Sequence, residues 1–250
     1  MRSKRQKLFL VLGGFFIINA IVAEFIGVKI FSLEATFGWD QAKIPLFGNV
    51  FSFDLTAGVL LWPVVFVMTD VINEHFGVKG VKFLSWLAAA LICYAFLMVF
   101  MAIKLVPASW WGASQEAKGV PDMQAAFKSI FGQGLWIIVG SIVSFLVGQI
   151  LDAILFQKLK VMLNHKMLWL RATVSTLFSQ LIDSYLVLFI AFYIGNNWPI
   201  MRVLSIGTGN YIYKFIIAVL MIPVLYLIHN MINSYLKKPV SAESETDEGF

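Results

Sequence analysis

The sequence is poor in charged residues, in cysteine and in histidine. Only 13% of its 250 residues are charged, whereas about 25% of a soluble domain usually is. The single cysteine, Cys93, excludes an intramolecular disulfide and any site with several cysteine ligands. His75, His165 and His229 are scattered without the spacing of metal ligands. We also find no glycine-rich phosphate loop, nucleophile elbow or HExxH set, so we expect no cofactor, no metal and no enzymatic activity.

What the chain has in abundance is long hydrophobic runs. Hydrophobic residues make up 60% of it and its mean hydropathy is +0.83. These values indicate an integral membrane protein. Its formal net charge of +5 is distributed over loops and termini. That distribution fits basic loops beside a lipid bilayer better than a nucleic-acid-binding face.

Six hydrophobic runs are each long enough to span a bilayer, which takes roughly 20 apolar residues. They cover about residues 8–30, 51–71, 81–103, 134–156, 170–194 and 211–235. The charged start of the chain resembles a signal peptide, but the first run continues past any small-residue cleavage site. The longest intervening loops are predicted at residues 31–49, 104–133 and 195–210, and a disordered acidic tail is predicted at 239–250. We see no domain boundary and expect a single transmembrane domain over residues 1–250.

Basic residues are distributed unequally between the two sides of such a bundle. Twelve lie on the side of the termini and five on the other, leaving out Lys29 and Lys214 within the spans. Cytoplasmic loops carry the excess of Lys and Arg. The predicted fold is therefore an all-α bundle of six transmembrane helices with both termini in the cytoplasm.

Two Gln-x-x-Asp sets lie inside the fourth and fifth runs. They are Gln149 with Asp152 and Gln180 with Asp183. A spacing of three places the amide and the carboxylate on one helix face. A carboxylate inside a membrane segment is costly and usually faces the bundle interior, so it indicates a functional site. The two runs are predicted to form an antiparallel hairpin in which Gln149, Gln180 and Asp183 converge on one polar pocket.

Each polar group in the spans also has a purely structural interpretation. The glutamine amides can hydrogen-bond between helices. Asp152 can pair with Arg171 or with a loop lysine. Asp70 and Glu74 can form a solvated helix end, and Lys214 can anchor at the outer membrane interface.

A pocket of amides and carboxylates with aromatic walls suits a flat, polar solute. A carboxylate can accept two hydrogen bonds from a guanine-like edge, and an amide both donates and accepts. Aromatic rings can stack on a base. Such a pocket is compatible with a nucleobase without requiring one.

Several blocks in order along the chain resemble the bacterial queuosine precursor transporters, also called the vitamin-uptake-like or VUT family. The block from Thr69 to Gly77, which follows Pro63, is similar to the family pattern TD-x-x-NE-x-x-G, although His75 stands where aliphatic or aromatic residues are common. The other blocks are 149–152, 168–176 with 179–183, and Tyr213-Lys214 with Pro223. The order and spacing of the blocks make the resemblance specific.

The resemblance implies a six-helix protein of the bacterial inner membrane with a fold similar to the substrate-binding components of energy-coupling-factor vitamin transporters. It implies import of the cyano and aminomethyl forms of 7-deazaguanine, or of queuine. It further implies that the substrate site contains Asp70, Asn73, Glu74, Gln149, Asp152, Arg171, Gln180, Asp183 and Lys214. Our preferred hypothesis puts Asp183 or Glu74 on the N–H edge of the base and Gln149 or Gln180 on its carbonyl.

Three other interpretations stay open. The chain can be a binding component that needs an ATPase partner, for a deazaguanine or another vitamin. It can be an intramembrane aspartyl protease that uses Asp152 and Asp183, although the usual Gly-x-Gly-Asp set is absent. It can also be an assembly protein without a ligand. Its carboxylates are compatible with proton coupling and with facilitated diffusion, and its oligomeric state stays open.

Overall fold

The computed structural model describes residues 3–41, 44–46, 49–51, 53–132 and 134–237. Its α-helices are α1 (Lys4–Ile26), α2 (Leu33–Phe37), α3 (Trp62–Lys104), α4 (Met123–Phe131), α5 (Leu135–Met162), α6 (Leu168–Leu188), α7 (Ile200–Leu220) and α8 (Ile222–Lys237). Two short antiparallel pairs join β1 (Ile30–Ser32) to β4 (Asp54–Thr56) and β2 (Ile44–Leu46) to β3 (Asn49–Phe51). Short 3₁₀-helices cover Ala57–Leu60 and Glu116–Lys118, and a π-helical segment, Phe189–Ile194, extends α6. The predicted acidic tail lies outside the described residues.

Within the described residues, five helical stretches are long and apolar enough to cross a membrane. They are Lys4–Ile26, Trp62–Lys104, Met123–Met162, Leu168–Ile194 and Ile200–Leu220. Many large apolar side chains of these helices point outward, among them Phe15, Leu97 and Phe178. The prediction of an all-α, multi-pass membrane protein is therefore confirmed.

The third predicted span and the second half of the second belong to one helix, α3, which is broken at Gly77. The start of the second span, predicted at residue 51, is wrong, because β4 and a 3₁₀-helix precede α3. This glycine has φ 71° and ψ −179°, a backbone conformation that is essentially confined to glycine. A polar connection between two separate helices was predicted for residues 71 to 81. The polar residues before Gly77 instead complete a helical turn, because their side chains find partners on neighbouring helices.

Helix α1 packs against both parts of α3. The Phe9 ring lies near its start and has its centroid 4.9 Å from that of Phe76 and 6.5 Å from that of Phe83. Near the end of α1, the Phe25 ring lies 5.4 Å from that of Phe96. The break in α3 therefore lies beside the first turns of α1.

Helices α5 and α6 form the predicted hairpin, and small residues allow their close approach. A Cβ atom added at Gly140 would stand 3.0 Å from the Val187 carbonyl oxygen, and one added at Gly148 would stand 3.5 Å from the Cβ of Asp183. Small residues at an interface let membrane helices pack backbone to backbone. This hairpin holds the polar side chains of α6 against those of α5 and α3.

The loop predicted at 195–210 and the sixth span predicted at 211–235 are both wrong in their bounds, because α7 covers Ile200–Leu220 and a separate helix, α8, begins at Ile222. The sequence of 195–210 looked like a loop because it contains Ser205, Gly207 and Gly209, all buried here. A Cβ added at Gly207 would stand 2.7 Å from the Tyr185 ring of α6. The small residues thus mark a close helix contact and not a turn. The predicted loop at 104–133 likewise contains a helix, α4.

We predict that Gly77→Ala destabilises the protein. Nothing lies within 4 Å of the site of the added Cβ, so the loss comes from the backbone conformation alone and amounts to about 1–3 kcal/mol. The measurement is thermal unfolding of the purified protein in detergent. Gly14→Ala is the matched control, since its Cβ would also meet nothing within 4 Å and it lies in regular helix. Equal melting temperatures for the two variants would contradict the prediction.

Candidate functional site

A pocket opens between α3, α6 and the α7–α8 pair. The α3 wall comes from Trp62, Phe66 and Asp70, which are four residues apart and so lie on one helix face. Pro63 and Val67 belong to the same wall. This face offers two aromatic rings beside one carboxylate.

The opposite walls repeat this helical spacing. On α6 the pocket is lined by Thr173, Thr176 and Gln180. On the α7–α8 side the lining residues are Tyr213, Lys214, Ile217, Ala218, Met221, Ile222 and Leu225. The pocket is mostly apolar and has a few polar groups that converge on it, as small-molecule sites usually do.

Two of its polar side chains are buried with unused hydrogen-bonding atoms. Asp70 is 5% exposed and Gln180 is 1% exposed. Within the described part of the chain, Asp70 Oδ1 and both amide atoms of Gln180 have no hydrogen-bond partner. Leaving a buried polar atom unsatisfied costs roughly 1–3 kcal/mol. A polar ligand in the pocket would supply the missing partners.

A third polar group of the pocket, Lys214, is ion-paired with Asp183 of α6. Lys214 lines the pocket, whereas Asp183 holds the ammonium group from behind. Lys214 thus has a partner within the bundle, and its depth in the membrane stays a prediction. Of the three side chains expected to converge, only Gln180 lines the pocket.

Behind the pocket, hydrogen bonds connect α3 to α5. Thr69 Oγ1 donates to Gln149 Oε1 at 2.5 Å, and Asn73 Nδ2 donates to the Ala153 carbonyl oxygen at 2.9 Å. Gln149 thus has the interhelical bonding role that its structural interpretation predicted.

Asp152 lies in the same buried layer and is 0% exposed. Its Oδ1 accepts hydrogen bonds from Thr176 and Ser179 of α6, each at 3.3 Å. Because Thr176 also lines the pocket, this hydroxyl connects Asp152 to the pocket wall.

Charged side chains of α3, α5 and α6 form a further network of contacts. Glu74 Oε2 lies 3.0 Å from Lys160 Nζ and 3.0 Å from Arg171 Nη2. Arg171 is buried, and its guanidinium lies 5.1 Å from the centroid of the Phe156 ring. Arg171 and Lys160 both bind Glu74, which is the arrangement of neither structural alternative, the Arg171–Asp152 ion pair or the solvated helix end at Glu74.

Three of the nine predicted site residues line the pocket, namely Asp70, Gln180 and Lys214. The other six, Asn73, Glu74, Gln149, Asp152, Arg171 and Asp183, stand behind it and hold the walls together. The sequence analysis missed Trp62, Phe66 and Thr173. A search for residues spaced by four from Asp70, or by seven from Gln180, would have found all three, because such residues share one helix face.

Residues 56–228 match the family described as "Putative vitamin uptake transporter". The chain belongs to this vitamin uptake transporter family. Every pocket residue lies inside the matched segment. Family membership places the chain among transporters. No solved protein structure matches it significantly.

Three bacterial relatives of this family member carry closely similar names. A Bacillus subtilis (strain 168) protein named "Probable queuosine precursor transporter" is 28% identical over 190 residues, 74% of this chain and 76% of its own. A Haemophilus influenzae protein (strain ATCC 51907 / DSM 11121 / KW20 / Rd) of the same name is 25% identical over 197 residues, which cover 74% of this chain and 72% of that protein. The Escherichia coli (strain K12) "Queuosine precursor transporter" is 25% identical over 199 residues, which cover 76% of this chain and 78% of that protein.

We predict that Glu74→Gln destabilises the protein by on the order of 3 kcal/mol, because it leaves the buried Arg171 without its opposite charge. The measurement is thermal unfolding in detergent. Glu116→Gln, an exposed carboxylate in the loop before α4, is the control and is expected to change the melting temperature little. A Glu74→Gln protein as stable as the control would show that the network contributes no net stability.

Proposed function

We propose that this chain imports queuosine precursors, the 7-cyano and 7-aminomethyl forms of 7-deazaguanine, across the bacterial inner membrane. Family membership and the names of its three relatives support transport of such a solute. The observation that carries the proposal is the pair of buried pocket side chains, Asp70 and Gln180, whose polar atoms lack partners within the described residues.

The chemistry of the pocket matches a guanine-like base. The Asp70 carboxylate accepts hydrogen bonds from the ring N–H and amino group of the base. The Gln180 amide donates to the ring carbonyl and accepts from another N–H. Trp62 and Phe66 offer ring faces for stacking. The base thereby supplies hydrogen-bond partners for the unpaired atoms of Asp70 and Gln180.

This assignment revises our preferred hypothesis from the sequence. Asp183 is engaged by Lys214, and Glu74 is engaged by Lys160 and Arg171. A carboxylate already held by a cation is a poorer acceptor for the base than Asp70. Of the two glutamines considered, Gln180 lines the pocket, whereas Gln149 accepts a hydrogen bond from another side chain.

We further propose that the chain crosses the membrane six times, with both termini in the cytoplasm. At roughly 1.5 Å per residue, the 43 residues of α3 would form a straight helix about 65 Å long, twice the thickness of the hydrocarbon core. Phe9 of α1 lies beside residues on both sides of the break, and Phe25 lies beside Phe96. These contacts support two antiparallel crossings within α3, an arrangement similar to energy-coupling-factor binding components.

The competing proposals differ in their partners and ligands. For a binding component with an ATPase partner, the purified chain alone in liposomes would bind but not accumulate ligand. A queuine importer would prefer the larger base. An aspartyl protease would need Asp152 and Asp183 to share a proton, whereas Asp183 is paired with Lys214. We propose the bilayer and a small nucleobase as the only obligatory partners.

Uptake can be tested in a bacterium that neither makes deazaguanines nor has its own importer. Supplying nanomolar cyano- or aminomethyl-deazaguanine should restore queuosine in its tRNA only when the intact chain is expressed. Asp70→Asn and Gln180→Leu should each reduce this uptake by about 5- to 150-fold, because loss of the polar contact to the base costs about 1–3 kcal/mol. Glu116→Gln is the control and should retain uptake. Full uptake by Asp70→Asn, at equal membrane expression, would contradict the assignment.

The six-span topology predicts the side on which introduced cysteines react. In a Cys93→Ser background, Ser114→Cys should be labelled in intact cells by a membrane-impermeant maleimide. Lys79→Cys and Asn164→Cys should react only after the membrane is permeabilised, because both sites are expected in the cytoplasm. All three residues are exposed on the protein surface. Labelling of Lys79→Cys in intact cells would contradict the reversal of α3.

A further inference from the structure

Asp70 and Asp152 face each other across the contact between α3 and α5. Hydrogen bonds on both sides of them, Thr69 to Gln149 and Asn73 to the backbone of Ala153, fix the two helices in register. Both carboxylates are buried, and they repel each other electrostatically. The pair lies directly behind the pocket wall, with Asp70 on its inner surface.

The cations around this pair are fewer than the carboxylates. Glu74 joins Asp70 and Asp152 to make three carboxylates, while Arg171 and Lys160 supply two positive charges, both in contact with Glu74. Among the described residues, Asp152 Oδ2 and Asp70 Oδ1 have no hydrogen-bond partner. One negative charge of this cluster is therefore left without a balancing cation.

Ionisable groups on the other elements are committed elsewhere. On the pocket side, Lys214 is paired with Asp183, and Tyr213 lies next to it on α7. The His75 ring stacks on that of His229 of α8, with centroids 5.3 Å apart. On α1, Glu24 accepts a hydrogen bond from Ser141 of α5. Arg5 of α1 donates a hydrogen bond to the His75 carbonyl oxygen. A proton bound within the pair would balance its remaining charge.

Two buried carboxylates that interact electrostatically do not both stay ionised, because like charges in a poorly solvated site repel strongly. We infer that Asp152 binds a proton that crosses the membrane together with the base held by Asp70, so that the protein is a proton symporter. This inference rests on the proposed function. It concerns what drives import and not which solute is carried.

Asp70 and Asp152 have different surroundings, and these indicate a different role for each. Asp70 lines the pocket and must be ionised to accept hydrogen bonds from the base. Asp152 does not line it, and its Oδ1 is held by Thr176 and Ser179 while its Oδ2 is available for the proton. With the base on ionised Asp70 and the proton on Asp152, the charges of the cluster balance.

Thr176 connects binding of the base to binding of the proton, because this residue lines the pocket and its hydroxyl donates a hydrogen bond to Asp152. The proton comes from the outer solution, is carried on Asp152 while the base is bound, and is released into the cytoplasm after the base has left. No covalent bond to the base forms or breaks.

The test uses the purified chain in liposomes and labelled 7-cyano-7-deazaguanine, which is uncharged. The outside is made one pH unit more acidic than the inside, and the membrane potential is held at zero. One proton for each base allows about tenfold accumulation. Asp152→Asn, which imitates the protonated carboxylate, should lose this accumulation but still exchange labelled for unlabelled base without a gradient. Glu116→Gln should behave like the unmodified chain.

The possible results separate the two proposals. Exchange by the unmodified chain without any response to the pH gradient would overturn proton coupling and leave the proposed function intact. Accumulation by Asp152→Asn equal to that of the unmodified chain would overturn the role of Asp152. Absence of any exchange by the unmodified chain would contradict the proposed function and the coupling with it.

A second measurement needs no variant, in case Asp152→Asn does not fold. Addition of the base to liposomes that contain the unmodified chain should raise the external pH, with one proton removed for each base taken up. A pH-sensitive dye reports this change. Uptake of base without a change in external pH would overturn the inference.

Discussion

The high cost of polar groups inside a membrane governs this structure. Two carboxylates of the bundle interior are paired with cations on other helices, Glu74 with Lys160 and Arg171, and Asp183 with Lys214. These contacts join α3, α5, α6 and α7, because a charge left alone at this depth would be too costly. The helices are thus arranged so that the necessary charges meet.

The pocket exists where this pairing is incomplete. Its α3 and α6 walls are fixed by contacts behind them, such as those from Thr69 to Gln149 and from Thr176 to Asp152. Groups that are held in this way cannot turn aside to find other partners. The unused atoms of Asp70 and Gln180 therefore stay directed at the space that a ligand would fill, which lowers the entropic cost of binding.

Close backbone packing gives the bundle its shape. Gly140 lets α5 and α6 approach within contact distance, and Gly207 does the same for α7 against Tyr185. Gly77 breaks α3 so that both of its parts reach α1. The segment that matches the family begins at residue 56 and contains all these glycines and every pocket residue. The shared part of the family is thus the framework that builds the pocket.

The sequence by itself determined the membrane class, the helical fold and the polar residues of the interior, because apolar runs and intramembrane charges carry these directly. It also predicted Asp70, Gln180 and Lys214 among the site residues. Only the tertiary structure decided which carboxylate is engaged by a cation and which faces the pocket, since that depends on contacts between distant helices. Arg171 was one of the partners considered for Asp152, and it binds Glu74. Likewise, the glycines and serines of α7 indicated a loop until their packing against α6 was seen, because local polarity cannot distinguish a turn from a close helix contact.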